Sequence, residues 1–153
     1  MLSLRRATAS DAPRLMRIAG AAYAPYLERM GGQRPAPMDA DYDAVVSATQ
    51  SWVVEADGDV VGFLVLAPER DTMVLDGVAV HPTHQGVGAG RALLALAEEQ
   101  AREAGFERIS LYTNAAMVEN QRLYERIGYV ETRRADDHGF ARVFYEKSLT
   151  GPA

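Results

Sequence analysis

The stretch Asp76–Ala101, DGVAVHPTHQGVGAGRALLALAEEQA, decides the fold of this 153-residue chain. It begins as an apolar strand, passes through a turn with glycines at positions 86, 88 and 90, and continues with the apolar periodicity of a helix. The first N–H groups of such a helix have no partner, and the helix dipole is positive there. The pattern therefore predicts a site for a phosphate, to which Arg91 adds a charged contact.

Two common nucleotide motifs do not fit this turn. A P-loop needs Gly-Lys-Ser/Thr, and here the last glycine is followed by Arg-Ala. A Rossmann motif opens its fold, whereas this turn lies in mid-chain after a predicted antiparallel meander. The sequence therefore disfavours ATP and NAD as ligands.

Working outward from the turn, the remaining patterns predict one α/β domain that covers residues 1–153, with a mixed central sheet and helices on both faces. Upstream we expect the strands Leu2–Ala7, Ser51–Ala56, Val60–Ala67 and Met73–Val80, with helices from about Ala12 and over Asp39–Gln50. Downstream we expect strand Arg108–Thr113, helix Val118–Ile127, and strands Tyr129–Arg134 and Phe140–Lys147. The charged residues between the last two strands are predicted to form a solvated loop; they are Arg133, Arg134, Asp136, Asp137 and His138.

Composition limits the chemistry. The chain has no cysteine, so neither a disulfide nor a thiolate can act in it. Its formal net charge is −5 and its one lysine is Lys147, which disfavours a nucleic-acid surface. Because the N-terminus has no apolar signal region and no long apolar run follows, we expect a cytoplasmic protein without a membrane partner.

Two motifs resemble the GNAT superfamily of N-acetyltransferases. Gln85–Gly90, QGVGAG after VAVHP, resembles the loop with which that superfamily binds the pyrophosphate of acyl-CoA. Downstream, LYTNAAMVENQRLYERIGYVET resembles its strand-helix-strand element, in which a tyrosine, here Tyr124, precedes a glycine-aromatic pair, here Gly128-Tyr129. Together the motifs span about residues 75–132.

The resemblance implies acetyl-CoA as cosubstrate, with its pantetheine arm paired to a strand that diverges from its neighbour. Many members place an asparagine seven residues before the tyrosine, where this chain has Met117, so the nearby Asn114 and Asn120 are the candidates for that contact. The implied cofactor-binding residues are Val78, Ala79, Val80, Gln85, Gly86, Val87, Gly88, Ala89, Gly90, Arg91, Asn114 and Asn120.

The resemblance also implies that Tyr124 donates a hydrogen bond or proton to the departing CoA sulfur. The acceptor amine must lose a proton, and the sequence leaves several candidates for the base: Asp76, His81, Glu28 and Glu131. We take Asp76 as the catalytic candidate beside Tyr124, while His81 and His84 are expected to complete a turn, with no metal site. The residues around the GGQRPAP loop are compatible either with an acceptor cleft or with packing in a core or a lid; they are Tyr23, Tyr26, Met30, Met38 and Tyr42.

The predicted function is direct transfer of acetyl from acetyl-CoA to a primary amine of a small molecule or peptide. Without cysteine, the chain has no thiol to carry a covalent acyl intermediate. One alternative is a catalytically silent acyl-CoA-binding module, and another is an enzyme whose acceptor is a protein lysine or N-terminus. A homodimer through the last two strands is also compatible with the sequence.

Overall fold

A seven-stranded mixed sheet organises the chain in a computed structural model, which describes residues 1–150. The strands follow one another across the sheet in the order β1-β2-β3-β4-β5-β7-β6. Their bounds are β1 Leu2–Arg6, β2 Gln50–Ala56, β3 Asp59–Glu69, β4 Thr72–Val80, β5 Arg108–Asn114, β6 Val130–Asp137 and β7 Phe140–Ser148. A single domain with a mixed sheet agrees with the prediction.

Helices cover both faces of this sheet. They are α1 Ala12–Tyr23, α2 Tyr26–Arg29, α3 Tyr42–Ala48, α4 Ala89–Glu103 and α5 Val118–Arg126. One core lies between the sheet and α4 and α5, and includes Leu93, Ile109 and Tyr145. A second core lies between β2–β4 and the helices α1 and α3, and includes Leu15 and Phe63. Within residues 1–150, no helix has the length and apolarity needed to span a membrane.

The strands β4 and β5 separate where the stretch Asp76–Ala101 begins. They pair in parallel only over Met73–Leu75, and beyond that point the two strands diverge. On its other edge, β4 has a bulge: Val65 of β3 pairs with Gly77 and Leu66 with Leu75, so Asp76 has no partner across the ladder. A bulge bends and twists a strand, which helps to turn β4 away from β5.

Tight packing holds the diverging part of β4 against β3. A Cβ atom on Gly62 of β3 would lie 2.9 Å from the carbonyl oxygen of Ala79, so this position excludes any larger residue without a shift of the backbone. The free edge of β4 is therefore backed by a firm ladder with β3.

The N-terminal strand is tied to the start of α1 by a buried carboxylate. Arg5 donates to both oxygens of Asp11 at 2.8 and 3.0 Å, and the Thr8 backbone N–H donates to Asp11 Oδ2 at 2.7 Å. These bonds hold the pKa of Asp11 at about 2, mainly through Arg5.

The charged residues between the last two strands do not form the loop that was predicted from the sequence. β6 continues to Asp137, which pairs with Phe140, and the turn consists of His138 and Gly139 with positive φ angles of 51° and 82°. Two such residues form a tight hairpin turn whose twist matches that of the strands. Arg133, Arg134, Asp136 and Asp137 thus lie on a strand rather than in a loop. The predicted helix over Asp39–Gln50 is also shorter, since α3 begins after Asp41, whose side chain caps it.

Candidate active site

The divergence of β4 and β5 opens a cavity of about 190 Å³ on the α1 and α3 side of the sheet. Since a water molecule occupies about 30 Å³ in the liquid, this volume corresponds to roughly six waters. Its walls are mainly aromatic and apolar, and they carry a small set of polar side chains: Asp76, Thr113, Asn114, Asn120 and Arg142. The cavity suits a small molecule or a single chain end.

The glycine turn leads directly into α4 with its amides free. Gly86 and Gly88 have φ angles of 89° and 92°, which L residues with a side chain rarely adopt. The first intrahelical bond runs from the Ala92 N–H to the Gly88 carbonyl, and no side chain caps the helix. The preceding N–H groups of residues 89–91 therefore have no intrahelical acceptor, which fits an anion site.

The predicted cofactor residues of β4 and of the glycine turn differ in their surroundings. Ala79 is buried in the α1 and α3 core, whereas Val78 and Val80 pack towards α4. Gln85 donates to the Val80 carbonyl at 3.2 Å, and Arg91 is exposed in the first turn of α4. Val87 is also exposed.

Tyr124 of α5 lies on the cavity wall. Its ring packs edge-on against Tyr129 at 5.8 Å and beside Tyr145 at 6.2 Å. Its hydroxyl forms no hydrogen bond with another group of residues 1–150. Burial, with a smaller contribution from Tyr129, raises the pKa of Tyr124 above its ordinary value, so the phenol stays protonated and can donate.

Asp76, left unpaired by the bulge, lines the same cavity. The three other candidate bases do not line it: His81 accepts from the Thr83 N–H as a turn cap, and Glu131 pairs with Arg134 at 3.1 Å. Glu28 also lies away from the cavity wall. Geometry thus leaves Asp76 as the candidate carboxylate.

Both asparagines proposed for pantetheine line the cavity. Asn114 Oδ1 accepts from the Ala116 N–H at 2.9 Å, and Asn120 Nδ2 lies 3.6 Å from the sulfur of Met117. Met117, which stands where many members have asparagine, is buried on the same wall. An apolar sulfur therefore occupies the place of an amide.

Three of the five residues predicted for an acceptor cleft line the cavity. Tyr23, Met30 and Tyr42 line the cavity, whereas Tyr26 and Met38 do not. The Tyr23 hydroxyl lies 3.3 Å from the Val78 carbonyl oxygen, to which it donates on the free edge of β4. Burial raises the pKa of Tyr23, so this donor also keeps its proton.

Sequence reasoning missed Tyr112 and Arg142. Tyr112 lies on β5 and Arg142 on β7, where the register pairs Arg142 with Asn114. The guanidinium lies 4.1 Å above the Tyr112 ring, and both side chains line the cavity. The pattern Phe140-x-Arg142-x-Phe144 on one strand face was the available signal, since alternate residues share a face.

The segment between α1 and α3 covers the cavity from outside. Pro35 of this segment is buried, and the Tyr42 hydroxyl of α3 donates to the Pro37 carbonyl at 2.6 Å. Two exposed contacts attach its outer part: Gln33 donates to the Gly139 carbonyl at 2.9 Å, and Arg29 pairs with Glu119 of α5 at 2.7 Å. Gly31 and Gly32 have positive φ angles of 65° and 85° between those contacts. The cover is thus anchored near Pro35, whereas exposed contacts hold the part around Gly31 and Gly32.

The comparisons with known proteins agree with this geometry. Residues 15–129 match the model of the Acetyltransferase (GNAT) family, and the chain belongs to that family. The uncharacterized N-acetyltransferase YjgM of Escherichia coli (strain K12) is 42% identical over 82 residues, which cover 51% of this chain and 49% of the relative. An aminoglycoside N(6')-acetyltransferase type 1 of Stenotrophomonas maltophilia is 32% identical over 88 residues, covering 52% of this chain and 58% of the relative.

Solved structures share the fold over the whole chain. The structure of yncA from Salmonella typhimurium with its cofactor acetyl-CoA has a TM-score of 0.71 at 22% identity, and covers 100% of this chain and 96% of that one. The chain spans about half the length of the curated relatives it matches. The fold is therefore shared more widely than the sequence.

Proposed function

We propose that this chain is an acetyl-CoA-dependent N-acetyltransferase that acts on the primary amine of a small molecule or peptide. The observation that carries the proposal is a combination of three features. The divergence of β4 from β5 leads along the chain to the uncapped start of α4, and Tyr124 lines the cavity that the divergence opens. The shared fold of a structure that contains acetyl-CoA supports the same assignment.

In this proposal each part of the diverged site has one binding role. The free amides of residues 89–91 hold the pyrophosphate, since a helix start attracts an anion. The free edge of β4 from Asp76 to Val80 offers backbone groups to the amides of the pantetheine arm, as a strand does in β-augmentation. Acetyl-CoA supplies the thioester, whose C–S bond breaks as the amine forms an amide.

Tyr124 and Asp76 handle the protons. A phenol with an ordinary pKa near 10 is a poorer acid than a thiol near 8.5, so full transfer to the sulfur is uphill by about 2 kcal/mol or more. Tyr124 therefore acts as a hydrogen-bond donor to the departing thiolate. An amine with a pKa near 10.4 costs about 4 to 5 kcal/mol to deprotonate at pH 7, and Asp76 holds the ammonium group and passes its proton to water.

Two measurements test the proposed function, one of acetyl-CoA binding and one of acetyl transfer. Calorimetric titration with acetyl-CoA, free CoA and ATP is followed by measurement of thiol release with a broad panel of amines. We expect one-to-one binding of acetyl-CoA, no binding of ATP, and amine-dependent thiol release. Binding without release for any amine would favour the silent acyl-CoA-binding module, and the absence of binding by folded protein would overturn both.

A further inference from the structure

Arg142 holds a cation in fixed orientation on the cavity wall. The residue is only 8% exposed, and its guanidinium lies 4.1 Å above the ring of Tyr112 and 5.2 Å from that of Phe140. Its Nη1 donates to Asp137 Oδ2 at 2.8 Å. Stacking and one ion pair thus fix the plane of this side chain before any ligand binds.

Most of the hydrogen-bonding capacity of Arg142 is unused. A guanidinium has five N–H donors, yet within residues 1–150 its Nε and Nη2 have no protein acceptor. In that part of the chain the fully enclosed polar side-chain atoms without a partner are Trp52 Nε1 and the Tyr129 hydroxyl. The free nitrogens of Arg142 are therefore not sealed within protein, and they belong to a side chain that lines the cavity.

The position of Arg142 excludes a role at the glycine turn. On β7, Val143 and Tyr145 belong to the core beneath α4 and α5, so Arg142 lies on the opposite face of the sheet. The uncapped start of α4 lies on the first face. The free donors of Arg142 thus serve the acceptor side of the cavity.

A negative charge lies in the same cavity. Asp76 lines it from β4, and Asp76 and Arg142 both act on Tyr112: burial and then Asp76 raise the pKa of Tyr112, while Arg142 lowers it. The Tyr112 phenol is therefore within electrostatic reach of both charges. A cation and an anion facing one small volume suit a zwitterion.

We propose that the acceptor is a free amino acid, whose carboxylate binds the free edge of Arg142 while its amino group lies towards Asp76. This inference rests on the proposed function, because it names the acceptor class of that reaction. Two parallel N–H donors of a guanidinium match the two oxygens of a carboxylate. The acetylated product is then an N-acetyl amino acid.

The first test uses the unmodified protein loaded with free CoA, so that no turnover occurs. Calorimetry compares free amino acids with aliphatic, aromatic and polar side chains, each beside its own amide and its decarboxylated amine, together with spermidine and kanamycin. We expect at least one amino acid to bind about 10-fold or more tightly than its amide and amine. Equal binding of acid and amide, tighter binding of spermidine or kanamycin, or binding of no compound overturns the inference.

Variants then assign the preference to Arg142. Arg142→Gln is expected to reduce the acid-to-amide ratio of affinities to about one, and Arg142→Lys to give an intermediate ratio because it keeps the charge without the planar fork. Arg133→Gln is the matched control: Arg133 also stacks on a ring, 3.8 Å above Phe144, but it does not line the cavity. An unchanged ratio in folded Arg142→Gln contradicts the assignment.

The two proposals fail in different ways. Thiol release with amines but no preference for acids contradicts the amino-acid acceptor and leaves the acetyltransferase standing. Selective binding of an amino acid without thiol release supports the carboxylate site and contradicts the enzyme.

Discussion

The segment proposed to bind acetyl-CoA and the walls proposed to bind the acceptor are built in different ways. The strand edge and helix start proposed for acetyl-CoA come from consecutive residues, 76–91. The walls proposed for the acceptor come from α1, the covering segment, β5 and β7, whose residues lie up to 119 positions apart, from Tyr23 to Arg142. A local motif can be recognised in a sequence, whereas a wall assembled from distant strands requires the fold.

The largest expected effect is a loss of affinity for acetyl-CoA, caused by a change at the glycine turn. Gly88→Glu places a carboxylate at the start of α4, where repulsion of two unit charges about 6 Å apart is about 3 kcal/mol at an effective dielectric constant near 20. We expect the affinity for acetyl-CoA to fall about 100-fold in calorimetry. Gly88→Gln forces a side chain into the same φ of 92° without the charge. Equal affinities of these two variants would contradict an anion site.

The next effect concerns the chemical step where the two sides meet. Tyr124→Phe removes a hydroxyl that lacks a partner in the described part of the chain, so we expect kcat to fall about 30-fold while the affinity for acetyl-CoA and the melting temperature change little. Tyr129→Phe is the control: its enclosed hydroxyl also lacks a partner, and its removal should stabilise the fold by about 1 kcal/mol without loss of kcat. A similar kcat in both variants would remove the role of Tyr124.

A pH effect on stability tests the attachment of α1, the helix that contributes Tyr23 to the cavity wall. The pKa of Asp11 is about 2 in the folded chain against about 3.9 unfolded, so its ion pair stabilises the fold fully above about pH 4. We expect about 2 kcal/mol of unfolding free energy to be lost as the pH falls to about 2, measured by urea denaturation, and less in Asp11→Asn. If both proteins lose the same amount, the Arg5 pair does not hold α1 on the sheet.

A second pH profile follows from Tyr124. Because burial raises its pKa, ionisation of this phenol should cause no fall in kcat between about pH 8 and about pH 10. The profile is measured for the unmodified protein and for Tyr124→Phe. A fall present only in the unmodified protein would show that the phenol ionises in that range.

The smallest expected effect concerns the ion pair that attaches the covering segment between α1 and α3 to α5. Arg29 and Glu119 are both about half exposed, and pairs of this kind contribute little. Arg29→Gln should leave the melting temperature unchanged and alter the acceptor KM at most about two-fold, with no change for acetyl-CoA. A larger change in the acceptor KM would mean that this ion pair controls entry.

Most of the secondary structure followed from local patterns. The strands of the meander β2–β4 were predicted within about two residues, and the helix after the glycine turn was expected where α4 lies, because apolar periodicity and glycines act over a few positions. The β6–β7 turn was misplaced, since charged residues on an outer strand look like a loop. His138-Gly139 was the informative pair there.

The sequence by itself determined the domain, the family and the segment proposed to bind acetyl-CoA, because that segment is continuous and its requirements are local. Tertiary structure alone decided that Asp76 sits at a bulge beside the divergence, and that Arg142 crosses from β7 to stack on Tyr112. Strand register places these residues together, and register depends on the packing of the whole sheet.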